Sequence, residues 1–459
     1  MSAILEQLAH SIAADFEGWR DHISRQRWFG GKNRVMTALR WRDWACVTDG
    51  PPLLGFGWLE LTYADGASEQ YLLPLAIAAG GPQDAAGHPE LARALLEGVR
   101  TEAVWTSACG RIFCLRTPAL DTVPPDVAGD VRLIGGEQSN TTLRFGRAAI
   151  LKLIRKCVTG VNLDAEVLGF LNRRGFPHVP RLLGEIRYET PHEDADATIG
   201  LLVEFIEHRS NGWSHVLERL GAIGGDRELA SDRTGLLADL DRLGAITAEL
   251  HVALASDHDD PDFRPEPITE DDIGSWRADI RRQLDAALAA LGRGRQTWID
   301  PEHLQPLDAL DELRAQSIDK VRIHGDYHLG QVLKTASGFT VLDFEGEPAR
   351  PLAARRAKAC ALKDVAGMLR SFSYAGSVAL REPALRDAWD GLAMERFLAG
   401  YFGRARPGTV RFLPPTTAGV MHALQAFLIE KAAYEIVYEA NNRPDWVPIP
   451  LEGLRRLVA

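Results

Sequence analysis

Cysteine is scarce: Cys46, Cys109, Cys114, Cys157 and Cys360 are the five in 459 residues, an odd number with no CxxC pairing. That excludes a disulfide-stapled scaffold and the zinc or redox motifs built on paired thiols, and it points to buried thiols in a reducing, cytoplasmic setting. An excess of positive charge is missing too. Fifty-two basic side chains face 63 acidic ones, a formal charge of −11, so no general attraction to nucleic acid or to an anionic membrane is expected. Long apolar runs are also lacking. The uncharged stretch Leu413 to Ile429 carries Pro414, Pro415, Thr416, Thr417, His422 and Gln425 and makes a poor membrane span. At the N-terminus Glu6, Asp15 and Glu17 interrupt the apolar residues where a secretory signal needs a basic start and an unbroken core.

What is there is a globular composition, 46% hydrophobic and 25% charged, in a chain long enough for two to four units at roughly 100–200 residues each. Ile4 to Trp19 reads as helix-like. The runs Leu53–Leu61 and Gln70–Leu75 flank Ala64-Asp65-Gly66 and read as a hairpin. Between Val131 and Tyr188 come a Gly-containing turn, a strand over Ala148–Ile154 and a helix from Asn162 or Asp164 to Gly175. After Glu207 amphipathic helices dominate, for example Leu236–Leu254 and Trp276–Leu291, with strands expected near Val321–His324 and Phe339–Phe344. The acidic connection Ala255–Asp262 reads as a solvated loop rather than a metal site. The expected division is 1–100, a small α+β unit; 101–206, a nucleotide-binding lobe; and 207–459, a mostly helical lobe.

The densest chemistry lies in His324-Gly325-Asp326-Tyr327-His328-Leu329-Gly330-Gln331, followed by Val341-Leu342-Asp343-Phe344-Glu345-Gly346-Glu347. Phosphoryl transfer from ATP needs a carboxylate to orient the attacking hydroxyl and oxygen ligands to hold magnesium on the phosphates. Asp326 to Gln331 is five positions, the spacing between catalytic aspartate and metal-binding amide in protein kinases, and Asp343 follows as a second metal ligand. Upstream, Lys152 sits in an apolar strand, with Glu166 in the next helix to hold it on the ATP phosphates. Gly135–Thr142, with Ser139, forms a candidate phosphate-covering turn, although it is neither GxGxxG nor GxxxxGK[ST].

The segments Arg27–Lys32, Gly135–Thr142, Val321–Gln331, Asp343–Arg350, Asp364–Phe372 and Phe427–Leu451 together resemble the maltokinase family, ATP-dependent enzymes that make maltose 1-phosphate, across nearly the whole chain. The resemblance implies an α+β, bilobal protein-kinase-like fold of the aminoglycoside phosphotransferase type. It also implies an N-terminal cap subdomain and the free-standing form, feeding trehalose and α-glucan (glycogen) metabolism. Carried over, Asp326 is the catalytic base, Gln331 and Asp343 bind Mg2+, Lys152 and Glu166 anchor ATP, and Glu204 to Ile206 form the hinge along the adenine. Gln331 stands where the wider phosphotransferase pattern has Asn, which lengthens that ligand by one methylene.

For the sugar, the helical stretch with Glu430, Lys431, Tyr434 and Glu435, and the following Asn442 and Trp446, supply carboxylates, an amide and aromatic faces. At 100° per residue only two or three of the four helix positions are expected to reach one ligand. Maltose is the expected acceptor and a monomer or weak associate the expected state. Glucosamine kinase is the runner-up, with an aminoglycoside kinase and a non-catalytic pseudokinase as further alternatives.

Overall fold

The helix-like start is broken in the middle. Helix α1 (Ser2–Ala14) stops, and α2 (Phe16–Ser24) begins with Asp15 as its N-cap, the carboxylate accepting the Gly18 N–H at 2.8 Å. An aspartate satisfies first-turn donors from just outside a helix, so here it starts a second one. The computed structural model describes residues 2–458 apart from 79–80, 136–139, 192–195, 224–228, 293–306 and 349. It divides into two compact units, Met1–Asn172 with Pro180–Glu207, and Arg173–Val179 with His208–Ala459.

In the first unit, among the described residues, β1 (Met36–Thr48), β2 (Leu53–Tyr63), β3 (Ser68–Ala78) and β4 (Gly81–Asp84) form a four-stranded antiparallel sheet in chain order. The expected hairpin is the β2–β3 pair, Leu61 opposite Glu69 and Thr62 opposite Ser68. Then follow α3 (Pro89–Thr101), β5 (Val104–Thr106), β6 (Arg111–Arg116), β7 (Val131–Ile134), β8 (Thr141–Phe145), β9 (Ala149–Leu153), α4 (Leu163–Arg173), β10 (Leu182–Glu189) and β11 (Ala197–Glu204). The strands after α3 make a seven-stranded sheet in the order β5-β6-β10-β11-β9-β8-β7.

Strand β2 shows why the N-terminal sheet is not a separate module. Side chains alternate across a strand, and here both faces are covered. Leu59, Leu61 and Tyr63 enter a core with Trp28, Phe29 and Trp44, whereas Leu54, Phe56 and Trp58 enter another with Leu95, Leu151 and Ile186. The Trp58 ring lies 4.1 Å from that of Tyr188 on β10, so the two sheets of this unit share a core.

The second unit runs β12 (Ser210–Asn211), α5 (Gly212–Ile223), α6 (Leu229–Leu254), β13 (Glu266–Pro267), α7 (Glu270–Leu291), α8 (Ala309–Ala315), β14 (Asp319–Lys320), β15 (Val332–Thr335), β16 (Gly338–Val341), α9 (Leu352–Arg356), α10 (Leu362–Ala379), α11 (Pro383–Arg404), α12 (Thr417–Asn442) and α13 (Pro448–Val458). Caps fix the starts of its long helices. Thr269 and Asp272 close a capping box on α7, and the Thr416 hydroxyl accepts from Gly419 at the head of α12. The acidic connection after α6 is a loop, in which Asp257 accepts the backbone N–H groups of Asp259 and Asp260 and pairs with Arg174. No helix among the described residues is long and apolar enough to cross a membrane.

Candidate active site

The strand expected over Val321–His324 does not form. Val321 makes one bridge to Ala359, and then the chain leaves sheet geometry. The reason is a competing acceptor. The Asp364 carboxylate, on the first turn of α10, takes the backbone N–H of His324 at 2.7 Å and of Gly325 at 2.9 Å. Asp364 is 2% exposed, and His251 meets it from α6 at 3.1 Å. These donors outweigh the burial that opposes ionisation and hold its carboxyl below the usual range.

Two glycines make room for this loop. Gly325 has φ 83°, a left-handed conformation that only glycine adopts freely, and a Cβ on Gly367 of α10 would come within 2.5 Å of the Tyr327 carbonyl. The Ser371 hydroxyl accepts the Leu329 N–H at 3.1 Å, and Tyr327 meets Thr247 at 3.0 Å. His324 closes the other side, its Nε2 donating to the Leu342 carbonyl at 2.8 Å. The backbone is thus pinned from α10, α6 and the β16 end, while the Asp326 side chain stays one-fifth exposed.

The β15–β16 ladder puts Gln331 opposite Leu342, the residue before Asp343. Val332 pairs with Val341, and the Leu342 N–H donates to the Gln331 carbonyl at 2.9 Å. Asp343 follows with φ 70°, a conformation that costs a non-glycine residue about 1–3 kcal/mol and concentrates at functional sites. An amide and a carboxylate are hard oxygen donors suited to magnesium, which commonly takes one or two protein ligands and completes its shell from phosphates and water. Among the described residues no group of three His, Cys, Asp or Glu side chains could hold a metal ion by itself.

The sequence reading did not foresee what meets Asp326. The Lys431 ammonium, from α12, donates to Asp326 Oδ1 at 3.3 Å and to Glu347 Oε1 at 3.0 Å. Glu347 also takes Arg350 at 2.8 Å, and Arg350 reaches Asp279 and Glu430, each at 3.2 Å. Burial pushes against both charges, but Lys431 and Arg350 hold the Glu347 carboxyl down at about 2, and Glu347 and Asp326 hold Lys431 above the usual ammonium range. His328 lies 4.0 Å from Asp326 Oδ2, and its pKa is lowered by burial.

Two cavities meet at Asp326, Lys431 and Tyr434. The smaller, about 280 Å3, extends to Trp276, Asp279 and Lys363; the larger, about 550 Å3, extends over Trp213, Tyr438 and Trp446. Of the predicted sugar residues, Lys431, Tyr434, Glu435 and Trp446 line the larger one, on which Tyr374, Glu439 and Arg443 also open. Glu430 faces the smaller one, paired with Lys363 at 3.0 Å. Asn442 lines neither. It is exposed and donates to the Tyr438 carbonyl at 2.8 Å, roughly 16 Å of helix axis beyond Lys431. A turn at Pro444–Trp446 brings the Trp446 ring to 6.5 Å from Tyr374, nearly parallel at 27°, and Tyr434 and Tyr438 stack at 6.3 Å and 26°.

In the first unit, Lys152 on β9 donates to Asp164 at 2.9 Å. Asp164 is 1% exposed in the first turn of α4, two residues ahead of the predicted Glu166, which is half-buried in the same turn. Ser139 and most of its loop lie outside the described residues. Glu204, at the end of β11, is held by Arg181 at 3.0 and 2.8 Å, and the next N–H, of Phe205, donates to the Ala148 carbonyl at 3.0 Å. Ile206 follows, half-buried.

Residues 130–395 match the phosphotransferase enzyme family, and residues 22–109 match the maltokinase N-terminal cap domain. The chain is similar to a glucosamine kinase from Streptacidiphilus jiangxiensis, 27% identical over 327 residues that cover 68% of this chain and 70% of the relative. A glucosamine kinase from Mycolicibacterium smegmatis is 27% identical over 340 residues, 71% of this chain and 79% of the relative. Among solved structures, a glucosamine kinase in complex with glucosamine, ADP and inorganic phosphate shares the fold with a TM-score of 0.69 at 22% identity, covering 93% of this chain and 95% of that one. A second crystal form of glucosamine kinase gives a TM-score of 0.72 at 22% identity, covering 96% and 99%.

Proposed function

The chain belongs to the phosphotransferase enzyme family and carries a maltokinase-type N-terminal cap, and from that premise we propose that it transfers the γ-phosphoryl group of ATP to the anomeric hydroxyl of maltose. The observation that carries this reading is the larger cavity. It opens on Asp326 and is walled by two stacked aromatic pairs, Tyr434 with Tyr438 and Tyr374 with Trp446. Aromatic faces suit the apolar faces of sugar rings, and two such walls suit a two-ring acceptor. The volume, about 550 Å3, falls within the roughly 300–1,000 Å3 of small-molecule sites.

In this mechanism Asp326 accepts the proton of the acceptor hydroxyl as its oxygen bonds to the γ-phosphorus and the bond to the β-phosphate oxygen breaks, releasing ADP. Lys431 occupies Asp326 Oδ1, which leaves Oδ2 for the hydroxyl. Gln331 and Asp343 would hold magnesium, which neutralises phosphate charge when bound. Lys152, fixed by Asp164, meets phosphate oxygens, and the 204–206 segment runs along the adenine.

Glucosamine as acceptor is the second reading, favoured by the names of the curated relatives. The presence of Lys152, Asp326, Gln331 and Asp343 in the sequence speaks against a non-catalytic pseudokinase. The test is an ADP-release screen of maltose, glucose, glucosamine and an aminoglycoside at fixed ATP. Maltose as best acceptor is expected, with Asp326→Asn losing roughly two to four orders of magnitude in turnover. Turnover of Asp326→Asn within tenfold of the parent would remove Asp326 from this role, and no sugar-dependent turnover at all would refute the reading.

A further inference from the structure

The larger cavity carries three carboxylates, and each already has a cation of the protein against it. Asp326 has Lys431 at 3.3 Å, Glu435 has Arg370 at 2.9 Å, and Glu439 has Arg443 at 2.8 Å. The Lys431 side chain is 17% exposed, and its ammonium lies 4.7 Å from the centre of the Tyr434 ring. A sugar seated with its reacting hydroxyl on Asp326 therefore lies beside a fixed positive charge.

From this we infer that Lys431 is a specificity-determining residue that makes the acceptor site select uncharged sugars and reject amino sugars. Replacing a sugar hydroxyl by an ammonium brings a second cation towards Lys431, in a cavity whose carboxylates among the described residues each already face a cation of the protein. Like charges brought together out of bulk water repel strongly, and a wrong partner is rejected by such an unmatched charge more than by lost contacts. Lys431 also has a positioning part, since its hydrogen bond orients Asp326. Glu347 keeps Lys431 in place from the far side at 3.0 Å, and Arg350 remains on Glu347 when Lys431 is removed.

This rests on the sugar-kinase reading above and goes beyond it, because it assigns the choice between a neutral and a cationic acceptor to one side chain. Glucose and glucosamine differ only in the hydroxyl or ammonium at C2, so their kcat/KM ratio isolates the charge. The parent enzyme should favour glucose over glucosamine by roughly ten- to hundredfold. Lys431→Met should collapse that ratio at least tenfold with the KM for ATP unchanged, and Lys431→Arg should restore it. If Lys431→Met turns over too slowly, calorimetric titration of both sugars into parent and variant reads the same ratio as affinities. A glucosamine preference in the parent, or a ratio that Lys431→Met moves less than twofold, overturns the inference while leaving a sugar kinase standing. Absence of turnover with every sugar in the parent refutes the functional reading itself.

Discussion

Asp364 holds Gly325 by the backbone, its Oδ1 accepting the Gly325 N–H at 2.9 Å while Oδ2 takes His324 at 2.7 Å. A carboxylate from one helix thereby replaces a strand ladder and leaves Asp326 standing clear of the sheet. Asp364→Asn keeps one acceptor but turns the other position into a donor facing an N–H. Each charge-assisted hydrogen bond lost costs about 1.5–3 kcal/mol, so a fall of roughly 5–10 °C in the melting midpoint is expected. Turnover should fall with it. A variant with unchanged thermal stability and turnover would show that the loop holds its shape without Asp364.

The lysine on β9 gives a second test, because two carboxylates compete for its role. Lys152 donates to Asp164 at 2.9 Å, and Asp164 is buried, whereas the sequence reading assigned Glu166. Asp164→Asn is expected to raise the KM for ATP and lower kcat by at least roughly tenfold, since an unoriented ammonium no longer meets phosphate. Glu166→Gln should do markedly less. The opposite order in steady-state kinetics would return the anchoring role to Glu166.

Acid stability is expected to depend on Glu347. Its carboxyl is held down at about 2, below the unfolded range near 4.5, because Lys431 and Arg350 outweigh the burial that opposes its charge. A depressed folded pKa contributes stability that is present above the unfolded value and lost as pH falls through the folded one. The window is thus pH 4.5 down to 2, and the shift corresponds to about 3 kcal/mol. Chemical denaturation across that window should show Glu347→Gln less stable at pH 7 and less dependent on pH than the parent. Parallel curves for the two proteins would contradict the assignment.

These assignments also show which parts of the molecule a sequence can disclose. The β2–β3 hairpin and β9 were legible because period-two alternation and a turn signal are local properties. The candidates Asp326, Gln331 and Asp343 could be named together because they lie within one short stretch of chain. Spacing places a carboxylate in the first turn of α4 but not on a given face of it, and the structure puts Asp164, two positions ahead of Glu166, at 2.9 Å from Lys152. The Asp326–Lys431 contact joins residues 105 positions apart. Lys431 reads from the sequence as a candidate sugar residue, but nothing local says which carboxylate it will meet. The same holds for Asp364, whose grip on the loop turns an expected strand into a bend.

The stacked pairs give the last prediction. Tyr434 stands at the junction of the two cavities beside Asp326, so it should contact the ring that carries the reacting hydroxyl. Trp446, brought back by the turn after α12 to 6.5 Å from Tyr374, belongs to the far side and should contact a second ring. An aromatic wall is worth about 1–2 kcal/mol, roughly five- to thirtyfold in KM. Tyr434→Ala should therefore raise KM for both glucose and maltose by that factor. Trp446→Ala should raise it for maltose alone. Neither should move the KM for ATP, and Asn442→Ala, at an exposed amide bonded to its own helix, should change nothing. The glucose-to-maltose comparison decides the matter: equal effects of Trp446→Ala on both sugars would place the second ring elsewhere, and no effect of Tyr434→Ala on either would take the acceptor out of this cavity.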